Sequence, residues 1–374
     1  MNIQDRTLVP EQVARRAAAR TRPPIIDCDI HPMMKSPRDL RKFLAPEWRE
    51  HFDAYGLRMN VPFVDSSPYP KASPALSHVD AWPPAGGLPG SDLSFMREQL
   101  LDPLNVEYGI LHILAISGMA QRNVRFGSAV CGALNNWQYE EWTQKEKRLK
   151  GSINVQGEDP EAAVAEIERW AGNSDFVQVA MSGRAIEPLG RRRYWPVFEA
   201  AVRHNLPIGI HLSGENGHAA SGAGWPSYYA EHHHVSSMAH RALATSLVVE
   251  GVFEEFPSLK FVFVEGGFGW VPAWTWRLDK QWARMRDEVP HLKRPPSEYI
   301  RQNLWFTSQP VEEPEHPEDI RSIIDWIGWD RLLIATDYPH WDFDDPELAF
   351  RIRMSEGERR QIFTENAKRV YGLS

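Results

Sequence analysis

The chain has 374 residues, 42% of them hydrophobic and 25% charged, with a formal net charge of −8. That length suits one large α/β barrel or two average domains with a real core. The acidic balance and the lack of a basic stripe exclude a nucleic-acid partner, and no apolar run is long enough to span a membrane.

The first residues, MNIQDRTLVPEQVARRAAARTR, alternate charge with alanine and lack the apolar core of a signal peptide. Residues 1–22 therefore read as a tail. Two cysteines, Cys28 and Cys131, are too few for a disulfide framework and suit a reducing, cytoplasmic setting.

The first apolar run, IIDCDIH from Ile25, predicts a strand. Its alternation puts Asp27, Asp29 and His31 on one face, with Cys28 and Ile30 opposite. An Asp-x-His pair at a strand's carboxyl end aims two metal-type ligands at one point, whereas a strand running out into solvent would carry acids for no special reason. Residues 32–105 follow, rich in proline and glycine (SSPYPKASPALSH, WPPAGGLPG) and too long for a plain connection. Such an insertion is expected to form a lid or substrate wall. Trp48, Phe52, Tyr55, Trp82 and Phe95 argue against disorder there, and Arg58, Lys71, His78 and Arg97 are candidates to hold a substrate carboxylate.

Strands two to four are predicted in YGILHILAIS from Tyr108, LKGSINVQG from Leu149 and FVQVAMSG from Phe176. Helices are expected in DPEAAVAEIERWAG and RRRYWPVFEAAVRHN. Strand five, LPIGIHLSG, ends in His211. A Gly-rich loop bearing His218 leads to the helix YYAEHHHVSSMAH, where His232, His233, His234 and His240 fall; any one histidine in such a run is ordinarily on a solvated face. Strand six, LKFVFVEGG, ends in Glu265; strand seven is NLWFTSQP, and strand eight, RLLIATDYPH, ends in Asp337 with His340 three residues on. The segments HPEDIRSIIDWIGW and GERRQIFTENAKRVYG read as the last helices. Eight strands alternating with helices predict a (β/α)8 TIM barrel over residues 23–374. A doubly wound sheet is the alternative, but no Gly-rich phosphate loop follows strand one.

Barrel active sites form at the carboxyl ends of the strands. Asp29, His31, His211, Glu265 and Asp337 sit at four such ends, and buried carboxylates are costly without a cation. Trp225, Trp270 and Trp341 lie beside these residues and are expected to wall a pocket or fill the core.

The pieces DCDIHP, GIHLSG, EGVFEEFPSLKFVFVEGGFGWVPAWTWRLDK and IATDYPHWDFDDP resemble the amidohydrolase superfamily. The resemblance is to the branch holding aminocarboxymuconate semialdehyde, resorcylate and carboxyvanillate decarboxylases, and it covers nearly all of the chain from Pro24 onward. It implies that Asp29, His31, His211 and Asp337 bind a divalent metal (zinc, manganese or iron) and that Asp337 also handles a proton. Where those decarboxylases carry a histidine after strand six, this chain has Glu265, which can act as a base or bridge a second ion. That feature, and a YYxExH pattern that singles out His233 as a further ligand, also resembles dinuclear iron or iron–manganese oxygenases of this fold such as 2-aminoisobutyrate hydroxylase. His340 is expected to orient Asp337 or the substrate.

Three activities follow from the resemblance. The first is metal-activated water attacking a C–N or C–O bond of a small carboxylated substrate, with Asp337, Glu265 and His340 as the catalytic groups. The second is dinuclear oxygenation of a small carboxylate or amino acid, and the third is decarboxylation of an aromatic acid. A non-catalytic partner subunit is disfavoured by the intact ligand set. The tryptophan-rich segments AWTWRLDKQW and IIDWIGW predict a dimer or higher assembly, with an identical or a paralogous chain.

Overall fold

The computed structural model describes residues 22–57, 76–114, 117–183, 185–211, 219 and 221–374. His218, Arg58 and Lys71 lie outside these described residues. All eight apolar runs are strands: β1 (Ile25–Ile30), β2 (Val106–Leu111), β3 (Leu149–Asn154), β4 (Phe176–Ser182), β5 (Ile208–His211), β6 (Phe261–Val264), β7 (Leu304–Thr307) and β8 (Leu332–Leu333). Each pairs in parallel with the next.

Only two residues of the eighth run are regular strand, yet the chain beyond them closes the circle. Cys28 N–H donates to Ile334 O at 3.0 Å, His31 N–H to Tyr338 O at 2.8 Å, and Asp337 N–H to Asp29 O at 3.1 Å. The arrangement is a (β/α)8 TIM barrel. Residues such as Ile153, Val179, Ile208, Phe261 and Leu304 bury one strand face against the surrounding helices. The final helix, Asn366–Tyr371, places Ala367, Val370 and Tyr371 with Ile26, Cys28, Ile110, Val262, Val264 and Leu333 in a second apolar cluster. Burial on both faces is why these runs are apolar throughout rather than alternating.

The helix after β3 starts at a side-chain cap. Asp159 accepts from Ala162 N–H at 3.2 Å ahead of the Pro160–Trp170 helix, satisfying one of the orphan donors at its start. Among the described residues no helix is long and apolar enough to cross a membrane.

Strand one departs from simple alternation. Cys28 and Ile30, expected on one face, belong to different clusters, and the pairing with β2 shifts register between Asp27 and Ile30. Asp27, expected on the face of Asp29 and His31, does not join them in the cluster. Asp27 instead accepts from Thr336 N–H at 3.0 Å and Thr336 Oγ1 at 2.6 Å.

The described part of the insertion is packed. Leu40, Leu44, Phe52, Met96, Leu100 and Leu101 are buried in the main core, and Trp48 lies against Phe126 with ring centroids 5.5 Å apart. Tyr55 and Trp82 are exposed instead. The insertion meets the barrel beside strand eight, where His78 N–H donates to Pro339 O at 3.1 Å and Trp341 N–H to Leu76 O at 2.9 Å. Of its carboxylate-holding candidates, Arg97 is committed elsewhere, to Glu146 Oε2 at 2.7 Å and Lys145 O at 2.7 Å. His78 bonds Asp80 at 2.6 Å and packs beside Tyr338 and Phe343.

Candidate metal centre

Strand closure brings the predicted residues together. One ligand atom from each of Asp29, His31, His211 and Glu265 lies within 4.8 Å of the others, and the same holds for His31, Glu265, Asp337 and His340. His31 Nε2 stands 3.1 Å from Asp29 Oδ1 and 2.7 Å from Asp337 Oδ1; His211 Nε2 stands 3.4 Å from Asp29 Oδ2 and 3.0 Å from Glu265 Oε2.

The His31 ring has a fixed orientation. Its Nδ1 lies 3.0 Å from the carbonyl of His112, so that nitrogen carries the hydrogen and donates it. In the neutral ring Nε2 then turns a lone pair toward carboxylate oxygens, an arrangement that only a proton or a cation between them relieves. This backbone anchor on the far nitrogen is the usual device for orienting a metal-binding imidazole.

Asp29 is fully buried, and neither of its carboxylate oxygens accepts a hydrogen bond of good geometry among the described residues. Leaving a buried carboxylate so poorly served is costly unless a positive charge sits beside it. Burial opposes the charge on Asp29, but His31 and His211 override it and hold the carboxyl well below its ordinary range. Burial likewise favours the neutral rings, yet Asp29 with Asp337 holds His31 well above its ordinary value, and Asp29 with Glu265 raises His211 to about 9. Burial, aided by nearby acids, pushes Asp337 well up and raises Glu265. An oxygen- and nitrogen-donor set of this kind suits a divalent cation.

Two of the acids stand on strained backbone. Glu265 has φ +57° and Asp337 φ +63°, in the left-handed region that non-glycine residues avoid at a cost of about 1–3 kcal/mol each. Thr307 Oγ1 accepts the Glu265 N–H at 3.0 Å, and the Asp337 N–H is held by Asp29 O. These twists swing each carboxylate off the strand direction and into the cluster.

His340 Nδ1 lies 2.6 Å from Asp337 Oδ1, and its ring stacks on His31 at 4.4 Å. His233 sits at a second, more accessible group with Glu265 and Asp342, its Nε2 3.0 Å from Asp342 Oδ2. His240 is buried away from this surface, against Phe263 and beneath Gly266. Of the three tryptophans, Trp341 borders the centre, 5.4 Å from His233. Trp270 packs behind it, its Nε1 donating to Gly266 O at 3.1 Å, and Trp225 is largely exposed.

Sequence reasoning missed His112, Gln178, Gln309 and Asp342. His112 Nε2 lies 2.9 Å from Gln178 Nε2, and burial, with His211 and His31, pushes its pKa down to about 3. The strand-end rule that found His211 also applies to His112, which follows β2 directly; the apolar residues after it hid the strand's end. Asp342 lies in an acid-rich stretch, DFDDP, where nothing local sets it apart.

The family model described as Amidohydrolase matches residues 26–373. The chain is 26% identical over 302 residues to a gamma-resorcylate decarboxylase from Polaromonas, spanning 76% of this chain and 88% of that one. It is 26% identical over 231 residues to a 2-keto-4-carboxy-3-hexenedioate hydratase from Sphingobium, covering 57% and 62%. Solved structures share the fold. An amidohydrolase from Mycobacterium avium subsp. paratuberculosis superposes with TM-score 0.71 at 22% identity, covering 95% of this chain and 100% of that one. A 5-carboxyvanillate decarboxylase from Novosphingobium aromaticivorans, solved with manganese and a nitrobenzoic acid, gives 0.69 at 18%, covering 93% and 96%.

Proposed function

The chain belongs to the amidohydrolase family, and from that premise we propose that it is a metal-dependent lyase that decarboxylates a small, unsaturated or aromatic carboxylic acid. The observation that carries the metal is the buried, poorly bonded Asp29 carboxylate ringed by His31, His211 and Asp337. These four residues would hold one divalent ion, with manganese the choice suggested by the decarboxylase of the same fold. When bound, the ion supplies a positive charge that fixes an anionic substrate and steadies charge built up during reaction.

Decarboxylation breaks the bond between the carboxyl carbon and its ring or alkene carbon, releases CO2 and requires a proton at the carbon left behind. Glu265 is suited to deliver it: burial and the nearby Asp337 favour its protonated form, and it lies on the centre's more open side. His340 orients Asp337 through Oδ1. The insertion at 32–105, meeting the barrel at Pro339 and Trp341, would serve as the substrate wall or lid. Hydrolysis, ranked first from the sequence, gains no support from the activities of these two curated relatives, whereas decarboxylation is supported by the resorcylate one.

One observation favours a second reading. Glu265 also belongs to the His233–Asp342 group, so a second ion there would make Glu265 a bridge and suit a dinuclear iron or manganese oxygenase. The test is to incubate the manganese-loaded protein with a panel of hydroxybenzoic acids and follow CO2 release and oxygen uptake. CO2 release without oxygen uptake is expected. Oxygen uptake with two metals per chain would replace the lyase by the oxygenase.

A further inference from the structure

Gln309 directly follows Ser308 at the end of β7, is fully buried and is joined to Pro310 by a cis peptide bond. Its side-chain Nε2 lies 3.1 Å from Asp337 Oδ2, 3.1 Å from Asp342 Oδ2 and 3.2 Å from Asp342 O. Its Oε1 has no hydrogen-bond partner among the described residues. Turning the amide over would set an oxygen against two carboxylate oxygens, so the nitrogen must face them. A neutral donor thus joins a buried acid and a half-buried one without adding charge.

The two oxygens of Asp337 consequently have different partners. Oδ1 faces His31 at 2.7 Å and His340 at 2.6 Å, while Oδ2 is taken by Gln309. A carboxylate's terminal torsion is broad, so nothing intrinsic to Asp337 selects this rotation. Asp342, gripped by the same amide, holds His233.

We propose that Gln309 is a positioning residue: its amide clamps Asp337 and Asp342 together, so that Asp337 presents one oxygen, Oδ1, to the metal-type cluster. The effect on metal binding rests on the reading of that cluster as an ion site; the clamp itself does not.

The experiment uses Gln309→Met, similar in reach but without N–H donors. Mn2+ is titrated into chelator-treated wild type and variant and followed by electron paramagnetic resonance, with thermal unfolding of the metal-free proteins alongside. We expect roughly 10–100-fold weaker Mn2+ binding, the usual consequence of losing a residue that orients a ligand. We also expect an altered bound-Mn2+ spectrum, with little change in the metal-free unfolding midpoint. Wild-type affinity and spectrum in the variant would overturn the proposal. A crystal structure of metal-free Gln309→Met reads the clamp separately, since Asp337 should turn or Asp342 draw away. Unmoved carboxylates there refute the clamp, whereas a wild type that binds no Mn2+ refutes only the ion site. If Gln309→Met fails to fold, Gln309→Leu and Gln309→Glu are put through the same measurements, with the same result required of whichever folds.

Discussion

A centre without its metal must balance its charge with protons. The acids beside His31 and His211 raise both rings, His211 to about 9, and burial raises Asp337. Ligands must shed their protons to bind a metal, so Mn2+ added to the metal-free protein at pH 7 should release protons. A pH indicator in weak buffer measures this, and release near zero would mean that the ion binds elsewhere. Packing makes a sharp demand one residue past Glu265. A Cβ added at Gly266 would overlap the buried ring of His240. Gly266→Ala should therefore lose about 1–3 kcal/mol in urea unfolding. His240→Ala should cost less in that background than in the wild type, because the clash and the ring are coupled. At this scale the sequence was most legible where a polar residue ends an apolar run, as at Asp29, His211 and Asp337. It was least legible where a residue acts through another: nothing local marks Gln309 or Asp342, whose roles depend on contacts across strands.

The eight strands were readable because burial on both faces leaves an uninterrupted apolar run, and the helices because proline or an acid marks their starts. The register shift in β1 was not readable, since it depends on how β1 meets its neighbours. The helix at Leu93–Met96 and its continuation to Leu101 were lost within the proline-rich insertion. That segment is tied to the turn before β3 by Glu146, which accepts from Arg148 Nε and Nη2, each at 3.0 Å, and from Arg97 Nε at 2.7 Å. The Arg148 hydrogen bonds, with Arg97 in support, hold Glu146 down at about 2. Because its folded value lies below its ordinary 4.5, its stabilisation is complete above that pH and fades as the pH falls toward about 2. Glu146→Gln should thus cost on the order of 1–3 kcal/mol at pH 7. The gap from wild type should narrow below pH 4.5, which denaturant melts across that range would measure. A gap independent of pH would assign the loss to packing instead.

For the molecule as a whole, association is an expectation with a defined surface. Trp276 and Trp326, from the two segments that suggested it, meet edge-on at 5.9 Å, and Trp276 is 57% exposed. Sedimentation at micromolar concentration should give a species heavier than one chain, and Trp276→Glu should shift it toward the monomer. A wild-type monomer would remove the expectation. The barrel's larger consequence is that four distant parts of the sequence meet at Asp29, and the lyase reading stands on a metal being held there. Mass spectrometry of metals in protein purified without added metal tests this directly, on wild type, His211→Ala and Glu265→Gln. About one divalent ion per chain is expected in the wild type and in Glu265→Gln, and near-complete loss in His211→Ala, which removes a ligand. A metal-free wild type, or full occupancy in His211→Ala, would contradict it.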